Sequence, residues 1–148
     1  MEALERLLEA TPDYRMAHFY LGLTHAAAGD HAQALQALAR ADPDGTYPDA
    51  VAVRGVVLAR SGQREAAEDA LRTLHGIASG HYALPFHEAL IRLALGDVER
   101  ALTLLEEDAD RRTWFSRILG VEPLVDPLRD HPRFRALLAR VRTGASDE

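Results

Sequence analysis

Residues Ala26–Leu38 read AAAGDHAQALQAL, two runs of strong helix formers broken by Gly29 and Asp30. Gly ends a helix cheaply because it adopts the left-handed conformation, and Asp is a favoured first cap of the next. The same interruption returns at Gly62-Gln63, 33 residues on, and at Gly96-Asp97, 34 further. The neighbours keep the register. Seven residues before each turn glycine stands Gly22, Gly55 or Ala89; five after it, Ala34, Ala67 or Ala101; nine after it, Leu38, Leu71 or Leu105.

A fixed interval of this kind is the mark of a stacked array, in which each unit is one helix–turn–helix. Small residues at the Gly22 and Ala34 positions let the two antiparallel helices approach closely, and Leu38 and its counterparts fill the seam below. The spacing predicts helices near 2–10, 14–28, 31–41, 48–61, 64–77, 85–95, 98–109 and 112–120. Pro48 and Pro85 suit first helical turns. The prolines of EPLVDPLRDHP break any helix until Pro132 opens a last one. There Phe134, Leu137, Leu138 and Val141 form an apolar stripe opposite Arg133, Arg135, Arg140 and Arg142.

These residues resemble a tetratricopeptide (TPR) repeat array. The motif positions are Leu21-Gly22, Gly29, Ala34, Leu38 and Ala41, then Gly55, Gly62, Ala67 and Leu71, then Ala89, Gly96, Ala101 and Leu105. His18 stands where the family often has an aromatic, and the linkers 42–47 and 79–82 are irregular. The opening segment matches the second helix of a unit, with Ala3, Leu7 and Ala10 mirroring Ala34, Leu38 and Ala41. The expected organisation is a half-repeat 1–12, full repeats 14–43, 48–78 and 82–111, a capping segment 112–142 and a disordered tail 143–148. A chain beginning mid-repeat is expected to come from a longer protein. The resemblance implies an all-α, right-handed superhelix of antiparallel helix pairs with a C-terminal capping helix. Asp126-Pro127-Leu128-Arg129 and Pro132-Arg133-Phe134 are similar to the end of bacterial TPR regions, which often follow a DNA-binding, cyclase or kinase domain.

Composition narrows the function. A net charge of -6 argues against nucleic-acid binding. No run approaches a membrane span, and MEALERLLEA is too acidic for a signal peptide, so a cytoplasmic protein is expected. Cysteine is absent, which removes disulfides and thiolate chemistry. Every one of the 17 basic residues is Arg, with no Lys or Asn, a codon bias of high-GC bacterial genomes.

Chemistry is hard to find. His18 and His25 are too far apart for one ion, His81 and His87 lack a third ligand, and His87-Glu88 begins an HExxH pattern that Ile91 ends. No nucleophile elbow or phosphate loop occurs, and Ser61 and Ser116 have no triad around them. The run Glu106-Glu107-Asp108 reads as a solvated helix end, and Trp114-Phe115 as a seal on the core. No enzyme, cofactor or metal site is expected. In TPR arrays the first helix of each pair lines the concave face, which here implies a groove of Met16, Phe19, Leu23, Asp49, Ala52, Val56, Arg60, Phe86, Leu90 and Leu93. Phe19 and Leu23 occupy places where carboxylate-gripping TPR proteins carry clamp residues, so that function is disfavoured. The expectation is a protein-interaction or regulatory module that docks a peptide, helix or neighbouring domain of unknown identity. The alternatives are homodimerisation of attached domains and a groove filled by the chain itself.

Overall fold

The computed structural model describes residues 1–78 and 84–144; the expected irregular linker 79–82, with His81, and the tail from 145 lie outside the described residues. No strand occurs among the described residues. The helices are α1 (Glu2–Ala10), α2 (Arg15–Ala28), α3 (His31–Ala41), α4 (Pro48–Arg60), α5 (Arg64–Ala78), α6 (Pro85–Ala94), α7 (Val98–Asp110), α8 (Trp114–Ile118) and α9 (Pro132–Gly144), with a 3₁₀ segment, Pro123–Leu128, before the last. α2 packs on α3, α4 on α5 and α6 on α7, as three hairpins, while α4 also lies against α2, α3 and α6.

The three hairpins close with the same turn. Gly29, Gly62 and Gly96 have φ of 82°, 81° and 90°, where a side chain would be strained. The next N–H then reaches back over the turn, Asp30 to the His25 carbonyl, Gln63 to Leu58 and Asp97 to Arg92, each at 2.9 Å. The acidic cap is realised once. Asp97 accepts from the Arg100 N–H at 3.3 Å, but the Asp30 side chain makes no cap bond and lies 3.6 Å from Nδ1 of His25 instead.

Close approach explains the other recurring small residues. A Cβ on Gly22 would sit 2.7 Å from Cγ of Leu38, and one on Gly55 would sit 2.6 Å from Cδ1 of Ile91 and 3.2 Å from Cβ of Ala70. Gly22 thus serves its own hairpin, whereas Gly55 also admits a side chain from the next. Ala34, Ala67 and Ala101 are wholly buried at the matching places.

The C-terminal third departs from the expectation. α8 covers five residues rather than the nine of 112–120, and Trp114 is 68% exposed, so it seals nothing; Phe115 alone turns inward, stacked on Phe86 at 4.6 Å. The 3₁₀ segment then carries Val125 and Leu128 into the same buried cluster as Leu90, Leu93 and Leu105. Arg129 fastens this strap. Its guanidinium donates to the carbonyls of Gly120 at 2.8 Å and Glu122 at 3.1 Å and to Asp126 at 2.9 Å, tying the turn after α8 to the 3₁₀ segment. In α9, Phe134 and Leu137 are buried and Leu138 and Val141 pack beside them. Arg133 grips α7 with a two-pronged contact to Glu106, at 3.1 and 2.8 Å, and a third bond to Glu99 at 2.7 Å. That contact holds the Glu106 carboxyl below its ordinary range. α9 runs through Thr143 and Gly144, where the Thr143 hydroxyl bonds the Ala139 carbonyl, so those two residues are not part of a disordered tail.

Candidate functional site

The first helices of the hairpins and the strap enclose a groove of about 640 Å³. Phe19, Leu23, Ala26 and Ala27 come from α2, Asp49, Ala52, Val53 and Arg60 from α4, and Phe86, His87 and Leu90 from α6. Phe115, Ile118 and the stretch from Glu122 to Pro127 form the facing wall. Of the groove residues expected from sequence, Phe19, Leu23, Asp49, Ala52, Arg60, Phe86 and Leu90 line this space.

Three do not. Val56 and Leu93 are buried in one cluster with Leu119, Val125 and Leu128, because the C-terminal segment folds back over that part of the stripe. Met16 is half-buried and packs against the core around Phe19 and Val53. Leu124 of the strap packs against both this core and the α6–α7 core, so the chain itself occupies part of its own concave face. Self-filling and an open groove are therefore both realised, in different segments of one surface.

One end of the groove is built around Asp49. Nε2 of His87, 38 residues away, donates to its Oδ1 at 2.7 Å; a carboxylate only accepts, which fixes that proton on Nε2. The Tyr47 hydroxyl lies near the same carboxylate. Burial pushes the Asp49 carboxyl up, but the hydrogen bond and charge of His87 and the Tyr47 hydroxyl outweigh it, leaving it below the ordinary carboxylate range. Tyr47 is pushed up to about 12 by burial and by the neighbouring Asp49 charge. Aromatic rings flank the pair on both sides. Phe19 meets Tyr47 edge-on at 5.4 Å, and His87 meets Phe115 edge-on at 4.7 Å and Phe86 at 5.6 Å.

Behind His87 lies Asp108, also buried, whose carboxyl is raised by desolvation despite a 2.6 Å bond from the Thr113 hydroxyl and the charge of His87. Asp108 is therefore not the solvated helix end expected of Glu106-Glu107-Asp108. Nδ1 of His87 is buried and has no hydrogen-bond partner among the described residues. Sequence reasoning missed this network because residues 38 apart in a hairpin array show no short motif. The available signal was only that Asp49 and His87 both lie in the first turn of the first helix of successive units.

A second cavity, of about 280 Å³, lies between α1 and the first hairpin and brings His18 and His25 to one space. Nε2 of His18 is spent on the Pro12 carbonyl at 2.7 Å. No group of three or more metal-ligating side chains occurs among the described residues. No helix among them is long and apolar enough to cross a membrane. No family model, no curated protein and no solved structure matches the chain.

Proposed function

We propose that this chain is a TPR-like repeat module of a larger bacterial signalling or regulatory protein. In this reading it is non-catalytic and docks a short apolar peptide segment bearing a basic group in the groove between α2, α4, α6 and the strap. The groove itself carries the reading: it is preformed, concave and walled largely by apolar side chains, the usual form of a recognition site. Its size sets the occupant. One helical turn with side chains fills roughly 420 Å³, from a pitch of 5.4 Å and a diameter near 10 Å, so the space suits a turn or two with a few anchoring side chains. Its charge sets the chemistry. Among the described lining residues Asp126 is paired with Arg129 and Glu122 accepts from the Leu124 N–H, which leaves Asp49 facing the groove and favours a basic partner. Phe19 and Leu23 offer nothing to a terminal carboxylate.

Selection of random dodecapeptides displayed on phage tests this. Enriched sequences should combine apolar anchors with Lys or Arg, and Leu23→Glu should weaken the selected peptide at least tenfold with helicity unchanged. Leu23 is the site of choice because it is only half-buried, whereas a charge at Leu90 would unfold the core. Absence of enrichment, or full binding by Leu23→Glu, overturns the groove assignment.

A second reading, self-association, has its own observation. Leu7 of α1 is 39% exposed, and Tyr14 and Tyr20 also expose large rings near that end. Light scattering that finds a monomer at high concentration removes it.

A further inference from the structure

We propose that the Asp49 end of the groove is a recognition site for an organic cation, an ammonium or guanidinium on an apolar stem, supplied by a basic side chain of the docked segment; this rests on the docking reading above. A partly exposed carboxylate, held from behind by His87, faces a groove lined with aromatic side chains. Asp49 is 32% exposed, lines the groove, and among the described residues is paired with His87. The other groove acids are already engaged: Glu122 accepts from the Leu124 N–H at 3.0 Å, and Asp126 is held by Arg129. Arg60, the fixed cation among the described lining residues, lies eleven residues along α4, about 16 Å away at 1.5 Å per residue.

The surroundings then select the kind of cation. Phe19, Phe86 and Phe115 line the same groove as Asp49, and Phe115 also meets the ring of its partner His87. Ring faces attract a desolvated organic cation, and a carboxylate beside them adds a direct hydrogen bond. A hydrated metal ion gains nothing from such walls, and a phosphate or carboxylate would be repelled. His87 and Tyr47 act as positioning residues, which hold the carboxylate in place from behind.

The test uses the whole chain and three probes of one shape: 4-phenylbutylammonium, 4-phenylbutanol and 4-phenylbutanoate, titrated by NMR. The ammonium should bind at least tenfold tighter than either analogue, equivalent to about 1.4 kcal/mol. Asp49→Asn keeps the shape and should erase that preference, with the circular dichroism spectrum unchanged. Should that variant fail to fold, Phe115→Leu serves instead, and should weaken the ammonium more than the alcohol. Equal binding of the three probes, or a preference that survives Asp49→Asn or is untouched by Phe115→Leu, overturns the site. The enriched peptide, made with its basic residue and with neutral citrulline there, separates the source. A tenfold loss with citrulline supports the side chain. Equal binding alongside an ammonium preference overturns it in favour of a free small cation. If no peptide is enriched at all, the docking reading falls while the ammonium titration still decides the cation site.

Discussion

At the N-terminal end of the stack, α1 lies on α2 with none of its nine residues buried, although its leucines form a clear apolar face. At the C-terminal end, the strap and α9 bury Val125, Leu128, Phe134 and Leu137 in one cluster with α6 and α7. Both ends meet the same demand, since a stack of hairpins leaves an apolar face at its last layer. A lone amphipathic helix gives little shielding to the layer beneath it. Closure at the other end takes α8, the strap and α9, with α9 held to α7 through Arg133.

The sharpest way to break this contrast is Phe134→Ala. The side chain is wholly buried, so its loss should cost about 3–5 kcal/mol in urea unfolding. A cost below about 1 kcal/mol would mean that the C-terminal cluster is not part of the cooperative core. Next in size, Arg129→Ala should cost about 1–2 kcal/mol, because it removes the charged donor to the part-buried Leu119 and Glu122 carbonyls. It should also speed amide exchange at Leu124 and Val125 ahead of α6, which would show the strap loosening by itself. Unchanged exchange there would show that the buried Val125 and Leu128 hold the strap without the guanidinium. Smallest is Leu7→Ala in α1, expected within about 0.5 kcal/mol of the parent. A loss of several kcal/mol would reveal that α1 is covered in solution, and a concentration-dependent loss would identify the cover as a second copy.

The hairpins were legible because their signals are local. A left-handed Gly at 29, 62 and 96 needs no knowledge of the rest of the chain, and the small residues at 22, 34, 55 and 67 follow from two helices in contact. The groove was legible in part, since a helix stripe predicts which residues share a face but not what lies over it. Val56 and Leu93 share the stripe of Asp49 and Leu90, yet the returning chain covers them. That return had no periodicity to announce it. Pro123 and Pro127 said only that a regular helix was impossible, and the direction of the strap depends on Arg129 finding carbonyls up to nine residues back. The Asp49–His87 pair was invisible for a related reason: it joins two units across their shared face.

The strap has a consequence for how such a molecule changes over time. One jaw of the groove is made by repeats whose interlocking glycines and alanines tolerate little alteration, while the other is a short segment anchored chiefly by Arg129, Val125 and Leu128. Substitutions at Glu122, Pro123 or Asp126 can reshape the opening without touching the stack. The shape of the opening can therefore change on a scaffold that stays put.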